Sequence, residues 1–449
     1  MTKSKLLLIF IIVHLTLVLF QIQMKSIILD TTYWRDIVLI PTVILALGLT
    51  VVSKKRFSTN GLDLLVMLLA AYGLFHIVIG GYDVLTAGLI YRNHFLPVLL
   101  YFAAKTTFVY QNSVIKLTNY FFVIFLVYLL DVFVELGLKT IGVSRLNIPW
   151  YSYIARISYR YIGNETGELG YIAPGASGTL GFQGLENASA AVLMVLFAFL
   201  LPLIVYGGNV KKISRSPSVI MPIKYSFAKL CIISTAAAVF IFQISTHIIA
   251  FFIVLFLLIF LSKQKITKVN TFIFIFLAIL TISAFRFQEA SLFRRLIGNL
   301  VGNQLLDGTP STLAIIFDSS QITAFFSLDT VSFFTGLGAG ESSMESLNLV
   351  YGENRLLMYG LQYGVIWLLL ILSIYLMAFK YGFALRAMYG QSPVARNTVL
   401  GIMLALLVCL LDMSHYAFAM YAPLIDIWAV LLGTLSAMWS SRSIINRLS

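Results

Sequence analysis

Cysteine is nearly absent from this chain. It occurs twice, as Cys231 and Cys409, both inside apolar runs, which excludes a disulfide framework and a cysteine metal cluster. No CxxC, HExxH, phosphate-binding P-loop or GxGxxG occurs either, so zinc-protease, NTPase and dinucleotide chemistry have no motif to rest on. Charge is scarce as well: 11% of the 449 residues are charged against 60% hydrophobic, and the mean hydropathy is +0.94. A soluble protein cannot hide that much apolar surface, so the composition is that of a polytopic membrane protein, with an all-α fold expected. The amino-terminal MTKSKLLLIFIIVHLTLVLF has a basic head and a long apolar body but no small-residue cleavage site. It reads as a retained first span.

What is present is a succession of apolar runs. A membrane helix needs about 20 such residues. Runs between polar breaks give about twelve candidate spans, near 6–23, 36–53, 62–80, 88–104, 117–137, 187–206, 227–245, 247–262, 270–285, 358–379, 398–414 and 421–439. Arg92, Asn93 and His94 interrupt the start of the fourth. Placing the amino terminus inside puts most of the 31 basic residues on the inner side, so the positive-inside rule sets both termini in the cytoplasm. The basic residues left outside are Lys25, Arg35, Arg92, Lys139, Arg145, Arg156, Arg160, Arg286, Arg294, Arg295 and Arg355. All but two are arginine. Topology needs only positive charge, whereas the planar guanidinium fork suits bidentate phosphate or carboxylate binding. Two readings stand: an anion site built by a subset, and simple balance of outer acids such as Glu165, Glu168, Glu289 and Asp307. Balance fits Arg35 beside Asp36.

The outer mass lies in two long loops, 138–186 and 286–357, and loops of that size in a compact protein usually carry function. In the first, Trp150, Tyr151, Tyr153, Tyr159 and Tyr161 fit an interfacial aromatic belt. Arg156 and Arg160 are four apart, so a helix would put both on one face, facing a diphosphate or lipid head groups. Gly167 belongs to the glycine-rich run that follows. In the second loop Leu292, Phe293, Leu296, Ile297, Leu300 and Val301 predict an amphipathic helix on the membrane, with Arg294 and Arg295 off the stripe. A helix-like run from Ser311 to Leu328, a glycine turn with Gly336, Gly338 and Gly340, and the polar tip Glu353, Asn354, Arg355 follow. Gly360 and Gly364 form a GxxxG that predicts close helix packing. Asp131, Glu135, Asp412 and Asp426 lie near the outer ends of spans, where rim placement is expected. Of five scattered histidines, those inside spans read as packed or partner-bonded, while His94 and His247 at outward span ends stay open.

Three stretches together resemble the O-antigen ligase and polymerase superfamily. One is the turn from Gly336 to Gly340, then E353-N354-R355-L356 and the small-residue helix LMYGLQYGVIWLLL. Another is Arg156 followed after ten residues by Gly167. The third is GFQGLENASAAVL, 181–193. The likeness covers about 85 to 440. Glu353 stands where ligases carry histidine, which tilts the resemblance toward Wzy-type polymerases. Ser245-Thr246-His247 occupies the place of a Ser-Arg pair, and the second loop has no arginine followed after ten residues by glycine.

The resemblance implies a GT-C-like membrane fold in the bacterial inner membrane, and polymerisation of undecaprenyl-diphosphate-linked oligosaccharide units on the periplasmic face. It implies no cofactor, no metal and no nucleic acid, with a chain-length regulator and a flippase as pathway partners. Arg156, Arg160, Arg286, Arg294, Arg295 and Arg355 would hold the diphosphate. Glu353, or more weakly His247 or Glu341, would take the acceptor proton. The competing role for Glu353 is a salt bridge to Arg355 or another outer arginine. The competing functions are a ligase that moves finished glycan to another acceptor, and a flippase or transporter using the intramembrane acids.

Overall fold

The structure, a computed structural model, describes residues 3–20, 34–52, 59–80, 82–109, 111–140, 186–206, 225–242, 245–261, 268–286, 319–338, 355–389, 392–414 and 423–445. All regular structure among them is helical. In chain order the helices are α1 Lys3–Leu19, α2 Trp34–Val52, α3 Gly61–Ile79, α4 Val84–His94, a 3-10 turn Leu96–Leu99, α5 Leu100–Thr107, α6 Gln111–Thr140 and α7 Glu186–Tyr206. Then come α8 Tyr225–Phe242, α9 Ser245–Leu261, α10 Lys268–Arg286, α11 Ser319–Phe326, α12 Thr330–Thr335, α13 Arg355–Met388, α14 Pro393–Met413 and α15 Leu424–Ile445.

Six helical stretches among the described residues are long and apolar enough to cross a membrane: Gly61–Ile79, Ser113–Gly137, Ala188–Tyr206, Leu356–Met388, Pro393–Met413 and Leu424–Ser441. Shorter apolar helices accompany them in α1, α8, α9 and α10. This is an all-α membrane protein, and its partner is the lipid bilayer. One expected span is corrected. The run 88–104 is not one helix but α4, a 3-10 turn and α5. Pro97 has no amide proton for the carbonyl four residues back, so the α-helical ladder stops at Phe95, just beyond the Arg92–His94 interruption, and Leu96–Leu99 continue as a 3-10 turn.

Burial separates two classes of helix. The apolar stretches of α7 and α15 are about nine-tenths buried, as befits helices that are hydrophobic all round. α7 packs against α14, α6, α8 and α9, and α15 against α5. In α3, α6 and α13 less than half is buried. Leu64, Val78, Leu130 and Leu376 are exposed on those helices, facing the hydrocarbon. Contact at the centre is close. A side chain on Gly401 would meet the Phe199 carbonyl of α7, and one on Gly433 the Tyr101 carbonyl of α5.

One end of the bundle is pinned by Asp63. Asn60 caps α3 by accepting from the amides of Leu62 at 3.0 Å and Asp63 at 3.2 Å. Asp63 accepts from the Asn60 amide at 2.7 Å, closing a capping box. The same carboxylate accepts from the Tyr101 hydroxyl at 2.6 Å and the Lys105 ammonium at 2.5 Å, both on α5. The Asn60 side-chain Nδ2 donates to Ser436 Oγ of α15 at 2.8 Å, and the Tyr381 hydroxyl of α13 accepts from the Gly61 backbone amide at 3.0 Å. Four helices therefore meet on one buried, fully bonded ion pair. Removing one partner of such a pair leaves an uncompensated charge, so Lys105→Met is expected to cost about 3–5 kcal/mol. Thermal unfolding in detergent checks this; a midpoint equal to that of the unaltered protein would contradict it.

Candidate functional site

The opposite end of the bundle is where α13 begins, at Arg355. Nine residues further on, Gly364 adopts φ 81° and ψ 171° and interrupts the helix. That leaves the carbonyls of Leu361, Gln362 and Tyr363 without the usual helical donors at a point where Leu361 and Tyr363 are buried, and buried carbonyls need partners. The protein supplies the donors. Leu337 N donates to Leu361 O at 2.8 Å and Gly338 N to Gln362 O at 3.1 Å. His76 Nε2 lies 3.1 Å from Gln362 O, and since a carbonyl only accepts, that nitrogen carries the proton. The Tyr72 hydroxyl donates to Tyr363 O. All three carbonyls are satisfied.

The crossing works only with glycine on both strands. Gly336 ends α12 at φ 81° and donates to Ser332 O at 2.7 Å. A Cβ on Gly336 would overlap the Gln362 carbonyl, and one on Gly364 would overlap the Phe334 carbonyl. The expected glycine turn is thus present at Gly336 and Gly338, the latter with φ 96°. The GxxxG reading of α13 divides. Gly360 packs against the Phe325 ring of α11, as close packing requires, but Gly364 ends one helix and starts another. Around the break Tyr359, Tyr363 and Trp367 line one face, with successive ring centroids 5.9 and 5.8 Å apart. His76 and His94 flank Tyr363 at 4.9 and 6.0 Å.

The same end buries charge. His14 Nε2 lies 2.9 Å from Asp426 Oδ1, both side chains fully buried, and Arg35 Nε is 3.9 Å from the same oxygen. Arg35 Nη2 donates to the Arg92 carbonyl at 3.4 Å, and Arg92 Nε to Asp36 Oδ2 at 2.6 Å. This network joins α1, α2, α4 and α15. On the other side His247 Nε2 of α9 stands 3.5 Å from Asp412 Oδ1 of α14. Asp131 and Glu135 of α6 are buried as well. The four acids expected near the outer ends of spans are thus buried against neighbouring helices. Two of them have a histidine beside the carboxylate: His14 is hydrogen-bonded to Asp426, and His247 stands within ion-pair distance of Asp412. His14 is partner-bonded, as its position in a span predicts. Arg35 is balanced by an acid, but that acid is Asp426, while Asp36 belongs to Arg92. His247, left open as a residue at a span end, is buried against Asp412.

Arg156, Arg160, Gly167, Arg294, Arg295, Gly340, Glu341 and Glu353, with the amphipathic stretch 292–301, lie outside the described residues. Arg286 closes α10 and Arg355 opens α13. Gly336 and Gly338 are brought onto the helix that Arg355 begins, whereas His247 sits against Asp412. Tyr72 and His76 were not among the candidates, although they do most to hold the break. Their signal was a polar pair four residues apart, hence on one face, in an otherwise apolar run. No family model, no curated protein and no solved structure matches the chain, so the site is read from its own residues.

The backbone at φ 81°, ψ 171° is essentially confined to glycine, and an alanine held there costs about 1–3 kcal/mol before any overlap. Gly364→Ala adds collision with a backbone carbonyl, so it is expected to lower the yield of folded protein and its unfolding midpoint far more than Gly360→Ala, whose methyl meets only a ring edge. Size-exclusion profiles and thermal unfolding of the two variants check the ordering. Equal behaviour would contradict it.

Proposed function

We propose that the chain polymerises undecaprenyl-diphosphate-linked oligosaccharide units on the periplasmic face of a bacterial inner membrane. It would be a GT-C-like O-antigen, capsule or exopolysaccharide polymerase of about twelve spans with both termini in the cytoplasm. The observation that carries this reading is the preference for arginine over lysine on the outer side of the chain. Arg35 and Arg92 drop out of that set because Asp426 and Asp36 match them. Those that remain, Arg145, Arg156, Arg160, Arg286, Arg294, Arg295 and Arg355, belong to the two large outer loops and their borders. The Gly336–Gly338 crossing supports the reading too. It fastens the chain just before Glu341 to the helix that follows Glu353, so both acids belong to a segment whose two ends meet on α13.

In the reaction, an acceptor hydroxyl attacks the anomeric carbon of the lipid-linked sugar. The bond from that carbon to the diphosphate oxygen breaks, and the diphosphate departs with the electron pair. A diphosphate is a good leaving group without protonation. Guanidinium groups in a low-dielectric site stabilise its growing charge, with no metal required. Glu353 takes the hydroxyl proton. His247 is the weaker candidate base because it is buried against Asp412. Transport of the same lipid-linked unit would draw on the buried acids, but Asp412 and Asp426 are matched within the bundle, which supports a structural role for them.

Arg156→Ala and Glu353→Gln are each expected to reduce polymerisation by about 10²–10³-fold, the usual loss for a removed electrostatic donor or proton acceptor. In cells this reads as loss of long glycan chains with single repeat units left on the outward-facing carrier. Units stranded on the cytoplasmic leaflet, or chains of normal length, would overturn the reading.

A further inference from the structure

Within the loop 286–357 the short helices α11 and α12 have eight and six residues, roughly 12 and 9 Å of helix, far too short to cross a bilayer. Yet they do not stand above the membrane-crossing part of α13. Gly338 is bonded to Gln362, seven residues and so roughly 10 Å along α13 from Arg355. Phe325 packs with Met358 and Leu361 in a small core of its own, with Leu328, Phe333 and Val365 around it. The two helices therefore lie alongside the first turns of α13, at the depth of its break.

Their other faces are apolar and open. Phe326 is 72% exposed, Val331 67% and Phe334 46%. The surface continues onto the lipid-facing side of α3. Tyr82 touches Gly338, and His76 of α3 reaches Gln362, while Phe75, Val78 and Ile79 of α3 point outward. Asp329 is the only ionisable side chain in 319–338. It caps α12 by accepting from the amides of Val331 at 2.9 Å and Ser332 at 3.1 Å. The Ser332 side chain and amide hold its carboxyl below the usual range, so it stays ionised and belongs at the polar boundary.

We propose that α11–α12 is a re-entrant element dipping into the leaflet on the Arg355 side, its partner the acyl-chain hydrocarbon that covers Phe326, Val331 and Phe334, with Asp329 at head-group level. This does not depend on the enzymatic reading. A purely extramembrane cap would present these side chains to water beside a helix that is itself in lipid. Continuity with α3 places both faces against the same medium.

The test uses the full chain in vesicles of phosphatidylethanolamine and phosphatidylglycerol, with buried Cys231 and Cys409 left unlabelled. Phe326→Cys, Val331→Cys, Phe334→Cys and, as a lipid reference, Phe75→Cys each carry one nitroxide. Power saturation compares collision with oxygen, enriched in hydrocarbon, against a water-soluble nickel chelate. The expected result is an oxygen-to-nickel ratio at 326, 331 and 334 matching that at 75. Val331, whose side chain is well exposed, gives the answer even where the Phe334 substitution disturbs packing. A ratio equal to that of a nitroxide free in buffer overturns the proposal, as does shielding from both reagents, which would mean that protein covers the face.

Discussion

A carbonyl in hydrocarbon must find its donor within the protein, and this structure is organised around one place where the helix does not provide it. Leaving such a group unpaired costs several kcal/mol. At Gly364 three consecutive carbonyls lose their helical partners, and two backbone amides, a histidine and a tyrosine replace them. The requirement reaches outward. It calls for glycine at both 336 and 364, sets Tyr72 and His76 on one face of α3, and ties a segment of the long loop to the bundle. Whatever chemistry the loop carries is thereby referred to a rigid point.

Charge obeys the same logic. Few ionisable groups enter the bundle, and those described in detail are matched across helices that are distant in sequence. Asp63 meets Lys105 at one end, and at the other Asp426 meets His14 and Arg35 while Asp412 meets His247. The last two carboxylates sit on α14 and α15, consecutive helices, so each leg of that hairpin is held to a different neighbour. Arrangements of this kind fix register between apolar helices, for which dispersion alone provides little specificity. The diphosphate reading proposed above rests instead on the arginines of the two outer loops.

Helix positions were largely legible because hydropathy is a local property. The run 187–206 became Glu186–Tyr206 and 62–80 became Gly61–Ile79. Pairings were not legible, because they depend on which helices meet. Arg35 stands next to Asp36 in the chain, yet its carboxylate is Asp426. Gly364 followed a packing pattern in sequence, but its role became visible only with Gly336 opposite. The fourth run failed as a single helix at a proline whose local meaning was available. The loop arginines and Glu353 are read from residue type and resemblance, and of them only Arg286 and Arg355, at helix ends, lie among the described residues.

The central claim is that backbone pairing between residues 336–338 and 361–364 is permanent structure at membrane depth, not a loose contact of a loop. Hydrogen exchange on the full chain in lipid nanodiscs, followed at the amides of Leu337 and Gly338, addresses it directly. The account predicts exchange as slow as in the apolar stretch of α3. Exchange at the rate of an unprotected surface loop would contradict it.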